Sequence, residues 1–233
     1  MAKNILITGT RKGIGQALAK AYLAEGHNVI GCSRKEASLT HVNYTHFVLD
    51  ISDEKAVLQM FRQIKKFFNK LDVLINNAGI AAMNHSLTTT CESVNALFST
   101  NVLGTFLFSR EAAKMMMRQK NGRIVNYTSV ASAISLEGEA VYAASKSAVE
   151  SLTKTMAKEL GSLGITVNAI GPTPVATDLI KSVPKDKIQA LIDHQAIKRM
   201  GEFKDIKQVV DFFIDEKSNF ITGQIIYLGG IVK

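Results

Sequence analysis

A tyrosine and a lysine, Tyr142 and Lys146, lie four residues apart in a stretch whose pattern predicts a helix, AVYAASKSAVESLTKTMAKEL. Side chains at this spacing lie one above the other on the same helical face. Because a nearby ammonium favours phenolate, the pair predicts that the pKa of Tyr142 falls below its usual value of about 10, so that the phenol can exchange a proton near neutral pH. Ser129 follows a predicted strand, GRIVNYTS, and its hydroxyl could hold a substrate oxygen against the tyrosine. The same spacing also occurs by chance in helices without chemistry, so the rest of the chain has to support this interpretation.

A glycine-rich turn near the start of the chain predicts a phosphate site. Residues 4–8 predict a short buried strand, and TGTRKGIG then leads into an amphipathic helix that ends near Gly26. Glycine lets the backbone approach a ligand, and the first-turn N–H groups and the dipole of the helix attract negative charge. The glycines at positions 9, 13 and 15 have the spacing GxxxGxG, which differs from the commonest dinucleotide fingerprint. The order of strand, glycine turn and helix still favours a dinucleotide.

The end of the second predicted strand, HNVIGCS, bears on which dinucleotide is bound. An acidic residue at this position would bind the ribose hydroxyls of NAD, whereas an arginine would suit the 2′-phosphate of NADP. The chain continues here with Arg34 and Lys35 and has no acid, and Arg11 and Lys12 of the glycine turn could reach the same phosphate. The alternative is that Arg34 is only a surface residue. The pattern favours NADP(H) over NAD(H).

The remaining elements alternate between strands and helices. A third strand ends at Asp50, and a later one ends in the small and polar residues NNAG at 76–79, which allow close approach of a ligand and hydrogen bonds to neighbouring strands. Residues 91–120 predict a long helix that is apolar on two faces, one against the sheet and the other against a second subunit. Six or seven strands alternating with helices predict a single α/β domain over residues 1–233, a doubly wound, Rossmann-like parallel sheet with helices on both faces.

Composition narrows the classes of partner. The formal charge of +8 favours anionic ligands, but the basic residues are scattered, so no nucleic acid partner is expected. No apolar run approaches the roughly 18 residues of a membrane span, and the first residues do not resemble a signal peptide. The chain has two cysteines, which predicts free thiols in the cytoplasm rather than a disulfide framework. No metal site is expected.

Together these motifs resemble those of the short-chain dehydrogenase/reductase family. The resemblance covers essentially the whole chain, in order and at the expected separations. The matching residues are TGTRKGIG at 8–15, Asp50, NNAG at 76–79, Asn101, Ser129, YAASK at 142–146, VNAI and GP within 167–172, and Thr177.

The resemblance implies a role for each matching residue. Asn101, Ser129, Tyr142 and Lys146 would form the catalytic tetrad, in which Tyr142 protonates the oxygen of a carbonyl that receives hydride from nicotinamide. Ser129 would hold that oxygen, Lys146 would lower the pKa of Tyr142 and bind the nicotinamide ribose, and Asn101 would help carry a water chain. The implied cofactor contacts are Gly9, Gly13 and Gly15 for the pyrophosphate, Asp50 for the adenine, Asn77 for the adenosine side, Thr177 for the nicotinamide carboxamide, and also Arg11, Lys12, Ile14, Arg34, Ile51, Ala78, Gly79, Tyr142, Lys146, Pro172 and Val175.

Within that family the chain is most similar to the 3-oxoacyl-[acyl-carrier-protein] reductases, also in its C-terminal part. This similarity implies an NADPH-dependent homotetramer that reduces 3-oxoacyl thioesters, possibly on acyl carrier protein. Two departures are expected to matter: Thr173 replaces the glycine after Pro172, and Leu163 replaces an arginine of the reductases that dock carrier protein. The alternatives are another small alcohol or ketone, such as a sugar, polyol, steroid or polyketide intermediate, and a non-catalytic, NADP-binding regulatory protein.

Overall fold

The computed structural model describes residues 2–176 and 185–233 and is built around one seven-stranded sheet. The strand order is β3-β2-β1-β4-β5-β6-β7, and every neighbouring pair is parallel. The predicted Rossmann-like parallel sheet is therefore confirmed. The strands are β1 Asn4–Thr8, β2 Asn28–Ser33, β3 Tyr44–Val48, β4 Val73–Asn76, β5 Gly122–Tyr127, β6 Ile165–Gly171 and β7 Ile225–Tyr227.

Helices cover both faces of the sheet, as predicted. They are α1 Gly13–Ala24, α2 Glu54–Phe68, α3 Cys91–Phe98, α4 Thr105–Gln119, α5 Ala131–Ile134, α6 Ala140–Leu160, α7 Lys185–His194 and α8 Phe203–Ile214. A π-helical segment, Ser99–Gly104, joins α3 to α4.

Two hydrophobic cores lie on opposite faces of the sheet. Ile5 and Ile7 of β1 belong to the core with α1 and α8, whereas Leu6 belongs to the core with α2, α4 and α6. This division follows from the alternation of side chains along a strand. A central parallel strand is buried on both faces, which explains why all five residues of β1 are buried.

The predicted helix over residues 91–120 is present but is not regular. The π-helical segment interrupts it at Asn101, and the Thr105 hydroxyl donates to the Asn101 carbonyl at 2.8 Å. π-Helical turns are rare and often coincide with functional positions. The prediction of two apolar faces is confirmed in part, because the face turned away from the sheet carries partly exposed side chains: Phe98 at 37%, Leu103 at 43%, Phe106 at 38% and Met117 at 47%.

The C-terminal part is described incompletely. Helix α7 follows the segment 177–184, which lies outside the described residues. Among residues 2–176 and 185–233, no helix is long and apolar enough to cross a bilayer. The same residues contain no group of three or more His, Cys, Asp or Glu side chains placed to hold a metal ion.

Candidate active site

The carboxyl ends of the parallel strands lie along one edge of the sheet. Strand β1 pairs with β2 on one side and with β4 on the other, so the chain order reverses between β1 and β4. In open α/β sheets, ligands bind outside the carboxyl ends of the strands at such a reversal. The loops after β1, β2, β4, β5 and β6 carry most of the residues that the sequence singles out.

The glycine turn and the loop after β4 form one unit. Gly9 and Gly13 have φ values of +78° and +63°, which favour glycine. A Cβ added at Gly15 would lie 2.4 Å from the Gly9 carbonyl oxygen and 2.5 Å from Nδ2 of Asn77. Asn77 donates to the Thr8 carbonyl at 2.8 Å, and the Ala78 N–H donates to the Thr8 hydroxyl at 2.9 Å. Glycine is therefore required where the turn approaches the loop, and this leaves the N-terminus of α1 open to a ligand.

The turn after β2 is positively charged. Arg34 is exposed directly after the strand, and Arg11 and Lys12 are exposed in the glycine turn. Asp50 follows β3 and accepts from the backbone N–H and hydroxyl of Ser52 at 2.9 and 2.7 Å. Although partial burial opposes the effect, these hydrogen bonds and the charge of Arg34 lower the pKa of Asp50. Arg34 and Asp50 therefore face the same end of the site.

Two predicted cofactor contacts point inward. The side chain of Ile51 is buried in the core, where a Cβ added at Gly104 would come within 2.6 Å of its Cδ1. Ile14 is partly buried and packs with the core under α1. Only the backbone groups of these two residues are available to a ligand.

The predicted catalytic residues converge around Gly79. The Ser129 hydroxyl lies near the Tyr142 phenol and acts to lower its pKa. Nζ of Lys146 lies 5.9 Å from the centroid of the Tyr142 ring. A Cβ added at Gly79 would lie 3.2 Å from Oδ1 of Asn101 and 3.4 Å from Nζ of Lys146. The four residues therefore surround one small region beside the loop after β4.

Asn101 is held by both ends of its amide. Its Oδ1 accepts from the Ile80 N–H at 2.9 Å, while its Nδ2 donates to the Ile80 carbonyl and the Ser145 hydroxyl, both at 3.0 Å. The Ser145 hydroxyl donates in turn to the Tyr142 carbonyl at 2.7 Å. These contacts explain why a poor helix former lies inside a helical segment.

The expectation that Lys146 lowers the pKa of Tyr142 is wrong. Burial raises the pKa of Tyr142 to about 12, and the Ser129 hydroxyl, which acts to lower it, offsets burial only in part. Burial also lowers the pKa of Lys146 to about 8. Nζ of Lys146 donates to the Tyr127 carbonyl at 2.9 Å and does not contact the phenol oxygen. Desolvation therefore outweighs the attraction that the i, i+4 spacing predicts.

The loop after β6 borders the site from the other side. The Pro172 carbonyl accepts from the Val130 N–H at 3.4 Å, which ties this loop to the turn after Ser129. Val175 forms an isolated parallel bridge with Gly201 and is partly buried. The predicted contact at Thr177 lies outside the described residues.

A buried carboxylate beneath the site has no counterpart in the sequence analysis. Glu150 lies two turns after Tyr142 on α6 and is 2% exposed. One of its oxygens accepts from the hydroxyls of Thr128, at 2.8 Å, and Tyr227, at 2.5 Å, and also from Ser132. The other oxygen accepts from Nζ of Lys233 at 2.6 Å. The only sequence signal for this site is a carboxylate among the apolar residues of a predicted helix. The signal is weak because the partners of Glu150 lie far away in the sequence.

Comparisons with known proteins agree with this geometry. A family profile described as enoyl-(acyl carrier protein) reductase matches residues 9–230. A 3-oxoacyl-[acyl-carrier-protein] reductase of Staphylococcus epidermidis is 33% identical to this chain, over 99% of this chain and 98% of the relative. The solved structure of ElxO with NADP bound has a TM-score of 0.89 at 32% identity and covers 98% of this chain and 97% of that one. A 4-hydroxyisoleucine dehydrogenase complexed with NADH has a TM-score of 0.88 at 31% identity, with the same 98% and 97% coverage.

The parallel sheet, the glycine turn and the tyrosine–lysine pair at its carboxyl edge define a dinucleotide-dependent oxidoreductase. The chain belongs to the short-chain dehydrogenase/reductase family. It is an NAD(P)-dependent enzyme acting on CH–OH or C=O groups. The family resemblance of the sequence motifs is thereby confirmed.

Glu150→Gln should destabilise the protein most at neutral pH. Burial alone would raise the pKa of Glu150, but hydrogen bonds from Lys233, Ser132, Tyr227 and Thr128 lower it below its usual value. A lowered pKa contributes stability that is present above the unfolded-state pKa of about 4.3 and is lost as pH falls through the folded-state value. We expect a loss of about 2 kcal/mol in urea unfolding at pH 7, because charge-assisted hydrogen bonds are weakened, and a smaller loss at pH 4.

Glu159→Gln, an exposed position on the same helix, is the matched control and should change stability by less than about 0.5 kcal/mol. A loss for Glu150→Gln that is equal at both pH values would show that the charge of Glu150 does not contribute.

Proposed function

We propose that the protein is an NADP(H)-dependent ketoreductase, a single domain over residues 1–233, that transfers a hydride to the carbonyl of a 3-oxoacyl thioester. The observation that supports it most is the convergence of Ser129, Tyr142, Lys146 and Asn101 around Gly79. Similarity to 3-oxoacyl-[acyl-carrier-protein] reductases over 99% of the chain supports the choice of substrate class.

The described residues fit a dinucleotide. Gly9, Gly15 and Gly79 leave a cradle that side chains would fill, with added Cβ atoms at 3.4 Å or less from neighbouring atoms. The first turn of α1 has no side-chain cap at Lys12, so its N–H groups can serve a phosphate. When bound, NADPH supplies the hydride. Gly9, Gly13 and Gly15 would hold the pyrophosphate, Asp50 the adenine, and Lys146 the nicotinamide ribose.

The side chains provide the proton and hold the substrate oxygen. Tyr142 has a raised pKa, so its phenol is protonated at neutral pH and can donate to the carbonyl oxygen as that oxygen gains charge. The Ser129 hydroxyl, which lies near the phenol, can hold the same oxygen. Lys146 is buried and makes one hydrogen bond, to the Tyr127 carbonyl, so two of its three N–H groups can face a ligand. Asn101 positions the loop at Ile80 and, through Ser145, the backbone at Tyr142.

A second candidate is a dehydrogenase of another small alcohol or ketone, such as a sugar, polyol, steroid or polyketide intermediate. It is favoured by the structural similarity of this chain to a 4-hydroxyisoleucine dehydrogenase, with a TM-score of 0.88. A non-catalytic regulatory protein is less well supported, because Asn101, Ser129, Tyr142 and Lys146 are all present. Rates of NADPH oxidation with an acetoacetyl thioester, free ketones and sugars separate these candidates. Turnover of sugars but not of the thioester would contradict our proposal.

Docking of an acyl carrier protein has weaker support than ketone reduction. Leu163 stands where docking reductases have an arginine. Of the neighbouring cations, Arg118 and Lys120 are exposed, but Arg123 is 6% exposed and donates to the side chain of Asn121 at 3.0 Å. Arg118 and Lys120 could bind an acidic partner, whereas the Arg123 guanidinium already donates to Asn121 at the start of its own strand.

A cytoplasmic location accompanies this proposal. Cys32 and Cys91 are both free, and Cys32 is buried. Free thiols are typical of a reducing compartment.

Tyr142→Phe should lower kcat by about 10²–10⁴-fold, because the phenol is the general acid. The affinity for NADPH, measured by fluorescence titration, should stay within about threefold, since the ring still fills its buried place. The control is Tyr22→Phe, which removes a phenol near the C-terminal end of α1, where it is bonded to Asp211, and should leave kcat unchanged. A kcat of Tyr142→Phe within threefold of the parent would exclude Tyr142 as the proton donor.

Arg34→Ala should raise the KM for NADPH roughly tenfold and leave the KM for NADH nearly unchanged. The guanidinium can form charge-assisted hydrogen bonds with a 2′-phosphate, although solvent screening at this exposed turn limits their strength. Lys35→Ala, the next exposed residue, is the matched variant and should have a smaller effect. Equal kcat/KM for the two cofactors in the parent protein would contradict NADP(H) preference.

The protein should assemble as a homotetramer, or at least as a dimer, through the outer face of α3, the π-helical segment and α4. Phe98, Leu103, Phe106 and Met117 are between 37% and 47% exposed there, an apolar surface that a second copy of the chain would cover. Light scattering should give two to four times the chain mass of 25.4 kDa. Phe106→Glu should shift the protein toward monomer, whereas Val42→Glu, at an exposed site in another loop, should not. A parent monomer at micromolar concentration would refute the assembly.

A further inference from the structure

A chain of polar side chains connects the glycine turn to the turn after β2. Thr10 of the glycine turn is fully buried, while Tyr44 and His46 lie on β3 and Ser33 ends β2. The Tyr44 hydroxyl donates to the Thr10 hydroxyl at 2.8 Å and lies 2.9 Å from Nδ1 of His46. Nε2 of His46 lies 3.1 Å from the Ser33 hydroxyl and 3.3 Å from the Lys35 carbonyl. The imidazole therefore bridges the two turns.

The surroundings of the ring make Nε2 a donor. The Lys35 carbonyl can only accept, and the Ser33 hydroxyl gives its proton to that carbonyl at 2.6 Å, so both groups near Nε2 are acceptors. Nδ1 faces the hydroxyls of Tyr44, at 2.9 Å, and of Thr10, at 3.4 Å, and either hydroxyl can donate to it. The imidazole therefore donates to the turn after β2 through Nε2 and is held from the other side at Nδ1.

The cluster packs closely against β2. A Cβ added at Gly31 would lie 2.3 Å from both the Thr10 hydroxyl and the Tyr44 hydroxyl. The N–H groups of Gly9 and Thr10 donate to the Cys32 carbonyl at 2.8 and 3.2 Å, which joins the glycine turn to β2 beside the ring.

We propose that His46 is a specificity-determining residue for the 2′-phosphate of the cofactor, which it serves by holding the turn at Ser33, Arg34 and Lys35 in place from below. The inference rests on the proposed preference for NADP(H) and extends it to β3, a strand outside the loops that carry the recognised motifs. Arg34 and Lys35 supply the exposed charge, while the bond from His46 to the Lys35 carbonyl orders the backbone that presents them. His46 is thus a positioning residue for the phosphate site.

The test is binding of 2′,5′-ADP, which carries the 2′-phosphate, compared with 5′-ADP, which lacks it, by calorimetry on the full chain. His46→Ala should weaken 2′,5′-ADP by about tenfold, about 1.4 kcal/mol, and leave 5′-ADP within about twofold. His46→Gln keeps a side-chain N–H donor and should lie between parent and His46→Ala. His41→Ala removes an exposed histidine of the preceding loop and should change neither ligand.

Tyr44→Phe is a second variant that keeps the test decisive if His46→Ala does not fold, because it removes only the hydroxyl that faces Nδ1. It should weaken 2′,5′-ADP by about threefold with a smaller change for 5′-ADP, at a melting temperature near that of the parent. Equal weakening of both ligands by His46→Ala and Tyr44→Phe, or no change in either, would overturn the role of His46. If the parent itself binds 2′,5′-ADP no better than 5′-ADP, the proposed preference for NADP(H) is wrong. That outcome differs from a failure of the His46 proposal, in which the parent prefers 2′,5′-ADP but the His46 variants keep this preference.

Discussion

The side-chain amide of Asn101 joins three parts of the chain at the carboxyl edge of the sheet. It satisfies the N–H and the carbonyl of Ile80 after β4 and the Ser145 hydroxyl on α6, while Asn101 itself belongs to the π-helical segment. Because Asn101 is 1% exposed, each group left without a partner would cost about 1–3 kcal/mol. The wider helical turn is therefore stabilised by the bonds made at this residue. Those bonds fix the distance between the loop at Gly79 and the helix that carries Tyr142 and Lys146.

Burial controls the protonation of the pair on α6 in both directions. It raises the pKa of Tyr142 to about 12 and lowers that of Lys146 to about 8, because each neutral form is favoured away from water. At neutral pH the phenol keeps its proton, which is the state that the proposed reduction of a carbonyl requires. Lys146 still carries most of its charge at pH 7. Formation of phenolate for the reverse reaction then depends on how closely Nζ, which is bonded to the Tyr127 carbonyl, can approach the phenol oxygen.

The sequence predicts features that depend on local patterns, and it does not predict features that depend on contacts between distant residues. Periodicity predicts α6 as Ala140–Leu160 and the strand endings at Thr8 and Asn76 well, since these depend on local patterns. It does not reveal the π-helical segment, because the apolar spacing of 91–120 is compatible with a regular helix. The pKa of Tyr142 depends on burial by distant elements. The partners of Glu150 include a tyrosine 77 residues away, and nothing near Glu150 in the sequence indicates that contact.

Overall similarity does not decide the cofactor, because structures with NADP and with NADH resemble this chain equally, at 32% and 31% identity. The distinction therefore depends on local charge at one turn. Arg34 follows β2 directly, and its charge acts to lower the pKa of Asp50. No carboxylate stands at the end of β2 to accept bonds from ribose hydroxyls, and the bridging imidazole lies beneath. A 2′-phosphate would bring about two negative charges to the adjacent cations Arg34 and Lys35, and this attraction is the basis on which we propose the phosphorylated cofactor.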